Sequence, residues 1–170
     1  MRIIKLAIGS FIFLFLIVTG ISLFIPSHIR ISKAINIYAD KSFVMTQISD
    51  ATNWKNWYPG LDSTKPLYVD GKMKGVIFNK NDSMNQVYIK IDKESENEIT
   101  AQYVNKKRRP VINGWKIISY PVTDSLTVQW YMDFHLPWYP WEKFRSLLFE
   151  KLYGSRMEQG LSNLKGLVEK

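Results

Sequence analysis

The fold class this sequence predicts is an α+β domain carried behind one membrane-spanning helix, and three observations predict it. Residues 6–25 run without a single charge. Residues 125–136 alternate apolar and polar without exception. Residues 141–170 carry apolar side chains at helical spacing. The first pattern is that of a bilayer span, the second that of a strand with one buried face, and the third that of a helix packed on one side.

The 170 residues suffice for one domain plus an appendage, and 46% hydrophobic with 14% aromatic content supplies ample surface for a core. The chain has no cysteine, which excludes a disulfide framework, a thiolate nucleophile and any sulfur-ligated metal. His28 and His135 are the two histidines, and the fifteen acidic residues show no calcium-loop spacing, so no metal site is expected. The net charge is +8. Leaving out Arg2 and Lys5 gives 21 basic against 15 acidic residues, too small an excess to mark a nucleic-acid binder. The one dense basic patch is Lys106, Lys107, Arg108 and Arg109, closed by Pro110. It reads either as a solvated turn or as a patch for anionic lipid headgroups.

From Leu6 to Ile25 the uncharged run spans about 30 Å as a helix, the thickness of a hydrocarbon core. Fourteen of its twenty residues are Leu, Ile, Phe or Val. At roughly −0.3 to −0.6 kcal/mol each they outweigh Gly9, Ser10, Thr19, Gly20 and Ser22. A cleaved signal peptide would be shorter and end in an Ala-x-Ala-like site, and neither feature is found. Pro26 stops the helix. The expected division is therefore an anchor at 1–27 and a domain at 28–170. Arg2 and Lys5 are balanced by Arg30, Lys33 and Lys41 across the span, but lie closer to it, which weakly favours a domain on the outer or periplasmic side.

Ile29 to Tyr38 alternates and predicts the first strand. Asp40 is placed as an N-cap for a short helix through Phe43, Val44 and Ile48, and Asp50 to Tyr58 predicts a second, ended by Pro59 and Gly60. Strands follow at Lys74–Asn79, Met84–Asp92, Glu98–Val104 and Asn113–Tyr120, with Asn81, Asp82, Pro110, Pro121 and Asp124 turning between them. In the next strand Leu126, Val128, Trp130, Met132, Phe134 and Leu136 share the buried face. Pro137 and Pro140 end it. Trp138, Tyr139 and Trp141 between them make either a structural corner or an interfacial aromatic belt. One helix of nearly thirty residues is then expected from Trp141, with Phe144, Leu148 and Leu152 leading into Leu161, Leu164 and Val168. Gly154 and Gly160 within it imply a bend or close packing.

This order resembles the helix-grip fold of the START and polyketide cyclase-like superfamily, also called SRPBCC. The stretch INIYADKSFVMTQISDATNWKNWYPG is similar to the family's opening, with Trp54, Trp57 and Pro59 standing for its Trp-x-x-Trp-x-Pro-like motif. The ending GSRMEQGLSNLKGLVE resembles its closing pattern at Gly154, Glu158, Gly160, Leu161, Asn163, Leu164 and Lys165. The resemblance implies a curved antiparallel sheet of about seven strands wrapped around the long helix, with a cavity between them. It places Trp54, Trp57, Tyr58, Trp115, Trp130, Met132, Phe134, Phe144, Leu148 and Leu152 around that cavity, each weighed against plain core packing. The implied partner is an apolar or amphipathic small molecule, lipids included.

No catalytic triad, nucleophile elbow, phosphate loop or dinucleotide fingerprint is present, so no catalytic residue and no cofactor is assigned. A cyclase- or hydrolase-type enzyme would need a titratable group inside the cavity. A protein-interaction module would use the basic patch or an open sheet face.

Overall fold

The expected span is one continuous helix, α1 (Arg2–Leu23), apolar on every side and almost wholly exposed. It is the one helix among the described residues long and apolar enough to cross a membrane. Ser22 Oγ donates to Thr19 O at 2.8 Å, while the Thr19 hydroxyl is buried without a hydrogen-bond partner among the described residues. The computed structural model describes residues 2–61, 63–78, 86–105, 108–120 and 125–170. The turn residues Asn81, Asp82, Pro121 and Asp124, the patch residues Lys106 and Lys107, and the adjoining ends of two expected strands (Asn79; residues 84 and 85) lie outside them.

Beyond Pro26 come β1 (His28–Ile37), α2 (Lys41–Ser49) and a 3-10 turn at Trp54–Asn56. Asp40 caps α2 as expected, its carboxylate accepting from Ser42 N at 2.7 Å. Six strands follow: β2 (Lys65–Val69), β3 (Lys72–Ile77), β4 (Val87–Glu94), β5 (Glu98–Asn105), β6 (Val111–Ser119) and β7 (Leu126–His135). They form one antiparallel sheet ordered β1-β7-β6-β5-β4-β3-β2. β1 pairs with β7 over its whole length, from His28 opposite His135 to Ile37 opposite Leu126. Bulges at Leu67/Tyr68 and Ile91/Lys93 bend the strands, as curvature requires. The sheet is curved and the last helix crosses its inner face, the helix-grip arrangement.

Strand β2 is absent from the expected elements. Pro66 argues against a strand except at an edge, and β2 is the edge. The signal for it was the turn: Asp70 and Gly71 both take positive φ, 50° and 75°, which joins β2 to β3 as a tight hairpin.

The single terminal helix is corrected to two. α3 (Pro140–Ser146) begins at its proline, and α4 (Phe149–Val168) runs straight through both glycines. The interruption falls at Leu147 and Leu148 instead. α4 buries Phe149, Met157, Leu161, Leu164 and Val168, spaced to keep one face on the sheet. Leu161, Leu164 and Val168 were expected on that face; Leu148 and Leu152 are one residue out of phase and exposed. Lys33 of β1 fixes the start of α4, its ammonium 2.6 Å from Glu150 and 2.7 Å from Glu158.

Candidate functional site

Between the inner face of the sheet and α4 lies a cavity of about 740 Å³, within the range of small-molecule sites. Alternation places Trp130, Met132 and Phe134 of β7 on its wall, with Val87 and Ile89 of β4 across from them. Phe149, Tyr153 and Met157 close it from α4. Their spacing of four presents all three on one helix face, and the Phe134 ring lies 4.6 Å from Phe149 and 5.1 Å from Tyr153.

Of the ten expected cavity residues, Tyr58, Trp130, Met132 and Phe134 stand on the wall. Trp54, Trp57 and Trp115 do not: all three are fully buried behind Tyr58 and Trp130 in a packed aromatic block. The Trp54 indole donates to Ile48 O at 2.7 Å and that of Trp57 to Gln47 O at 3.0 Å, so both rings fix α2 to the turn after it. The Trp115 indole nitrogen is buried with no partner among the described residues. Phe144, Leu148 and Leu152 face outward, away from the cavity. The break before α4 sets that phase, and Phe149, Tyr153 and Met157 take the place expected for them. Their being in step with Leu161, Leu164 and Val168 is the signal that could have found them.

Inside, one buried polar chain reaches the wall. Asn113 of β6 is fully buried among apolar neighbours. Its Oδ1 accepts from the Trp130 indole, and its Nδ2 donates to Tyr58 Oη at 3.2 Å. Tyr58 Oη thereby receives a hydrogen bond and keeps its own proton to donate elsewhere. Burial pushes the Tyr58 phenol up to about 12, with the Asn113 hydrogen bond opposing, so it stays protonated at neutral pH. Tyr103, also on the wall, is raised by burial as well. Asn113 was legible as a polar residue in the inward row with Trp115 and Ile117.

The rim is polar. Arg108 and Arg109 stand there with His135, Tyr139, Trp141 and Glu142. The described half of the basic patch therefore borders the cavity. His135 stacks on His28 at 4.5 Å between centroids. Asp133, expected on an open outer face, is buried instead: Arg30 grips both its oxygens at 2.6 Å. Among the described residues no cluster of His, Asp and Glu is arranged to hold a metal ion.

A family model described as polyketide cyclase / dehydrase and lipid transport matches residues 28–169. No curated protein matches the chain. Among solved structures, a START superfamily protein from Mycobacterium smegmatis is 20% identical, covering 82% of this chain and 97% of its own, with a TM-score of 0.58. Truncated norcoclaurine synthase from Thalictrum flavum is 12% identical over 83% and 93%, TM-score 0.61. The Zhui aromatase/cyclase from a Streptomyces species is 12% identical over 84% and 94%, TM-score 0.60. At these identities the structures speak for the fold.

Proposed function

This chain belongs to the polyketide cyclase / dehydrase and lipid transport family, and on that premise we propose that it is a membrane-tethered binding domain for an amphipathic small molecule of lipid character. The observation that carries this is the cavity: about 740 Å³, walled by Val87, Ile89, Met132, Phe134 and Met157, and edged by Arg108 and Arg109. Such a lining favours an apolar body inside and a polar or anionic head at the rim. Residues 1–27 form the anchor and 28–170 the binding unit. The uncharged length of α1 supports the tether. Arg2 and Lys5, close to the span, favour the outer or periplasmic side for the domain.

The test is extraction of the full chain, purified in mild detergent, followed by mass spectrometry, with displacement of a fluorescent fatty-acid probe as a second readout. Co-purified amphiphile and saturable probe binding are expected. Empty preparations that also fail to bind the probe would reject the reading.

A second reading has one observation in its favour. Tyr58 Oη, held by Asn113 and protonated, can donate to a carbonyl of a bound molecule, as an enzyme acting on oxygenated rings or chains would require. Turnover of a carbonyl-bearing ligand that is lost in Tyr58→Phe, with binding retained, would move the protein to that class.

A further inference from the structure

The corner between β7 and α4 exposes a row of large apolar side chains. Trp138, Trp141, Phe144, Leu147, Leu148 and Leu152 all face outward, Trp141 being 61% and Leu147 65% exposed. Contiguous exposure of this kind marks an interaction site. The opposite side of α3 is buried, and what it is buried against decides the partner. Lys143, 4% exposed, sends its ammonium to Ile25 O at 2.6 Å and Ser27 Oγ at 2.7 Å. Ser146, also buried, donates to Lys143 O at 2.6 Å and steadies that turn.

Ile25 closes the apolar run two residues past the end of α1, where the chain of a membrane-spanning α1 would leave the bilayer. Lys143 thus holds α3 within one side-chain length of the membrane boundary. With α1 in a bilayer, a row held there falls at headgroup depth, where tryptophan and amphipathic helices are stable. Arg145 and Lys151 flank the row and suit anionic headgroups. Trp141 belongs both to this row and, with Tyr139, to the cavity rim.

We propose that the α3 corner is a bilayer-docking surface, and that the cavity rim at Tyr139 and Trp141 opens against the membrane, so that the ligand is a molecule taken from the lipid phase. The inference rests on the tethered reading above. It commits the exposed row to lipid, since a row fixed beside the exit of α1 meets the membrane before any soluble partner.

The absence of cysteine makes the test direct. Single substitutions Phe144→Cys and Leu148→Cys on the row, Ile12→Cys in α1 and Ser162→Cys on the exposed side of α4 are spin-labelled. The full chain is reconstituted in vesicles of phosphatidylcholine and phosphatidylglycerol. Collisions with oxygen, which concentrates in lipid, are compared with those of a water-soluble nickel chelate. Labels at 144, 148 and 12 should favour oxygen, and the label at 162 the chelate. Lipid contact at 12 with aqueous labels at 144 and 148 overturns the docking and leaves the tether standing. An aqueous label at 12 removes the tether and the docking with it. Labels at 144 and 148 shielded from both reagents would mean that a second copy or another protein covers the row, which also overturns the proposal. In a second measurement, Leu147→Glu with Leu148→Glu, neither of which lines the cavity, should slow loading of a lipid probe from vesicles by about tenfold or more while detergent-solubilised binding is unchanged. Unchanged loading from vesicles would overturn the membrane-facing rim.

Discussion

Gly160 of α4 meets the ring of Trp130 so closely that a Cβ on the glycine would stand 2.5 Å from Cζ3 of the indole and 3.0 Å from Cδ of Pro59. The helix and the cavity-lining strand are in contact at that point, and the missing side chain is what permits it. Gly160→Ala should therefore lower stability by about 1–2 kcal/mol, overpacking against a rigid buried ring exceeding the gain in helix propensity. Gly166→Ala, with nothing within 4 Å of the new methyl, should raise stability by about 0.5–1 kcal/mol. Urea unfolding of the two variants checks both signs, and a stabilised Gly160→Ala would refute the close approach.

The Asn113 amide is the sole bridge described between the Trp130 indole and Tyr58 Oη. Asn113→Ala removes both hydrogen bonds in a buried setting and should cost about 2–3 kcal/mol. Asn113→Asp introduces a charge into the same place and should cost more at neutral pH than at acidic pH. Thermal unfolding of the two variants across that range reads the difference.

Alkaline unfolding should carry the signature of Tyr58. Its folded value, pushed up to about 12 by burial, exceeds the ordinary 10, so the folded chain holds a proton that the unfolded chain releases. The contribution is intact below about pH 10 and is lost as pH rises from there to about 12. Tyr103 and Tyr131, both raised by burial first, add to the loss in the same direction. Tyr58→Phe should flatten the fall in unfolding midpoint over that interval without abolishing it.

Filling the cavity should separate binding from folding. Val111 lies on the wall and is only half-buried, so Val111→Trp can occupy the void without overpacking the aromatic block. Probe affinity should fall by about tenfold or more, equivalent to about 1.4 kcal/mol, while the melting temperature shifts by only a few degrees. Full probe affinity in this variant would place the ligand elsewhere.

Local patterns carried the elements that local forces set. Strict alternation identified β7, Asp40 identified the start of α2, and the charge-free run identified α1. Even within β7 the reading stopped at one face. Tyr131 and Asp133 face outward yet are buried, because β6 brings Gly114 beneath the Tyr131 ring and β1 brings Arg30 onto Asp133. Which strands adjoin, and in what register, is no property of a strand alone.

From the sequence alone came the apolar helix, the strands other than β2, the inward row of β7 and the Leu161, Leu164 and Val168 part of the helical row, since these follow from periodicity and capping within a few residues. Tertiary structure decided which apolar residues line the void and which face outward. Successive helical residues lie about 100° apart, so a one-residue error in phase turns an inward side chain aside. The break at Leu147 and Leu148 places Phe149, Tyr153 and Met157 against the sheet and leaves Phe144, Leu148 and Leu152 outside, a choice settled by packing across the chain.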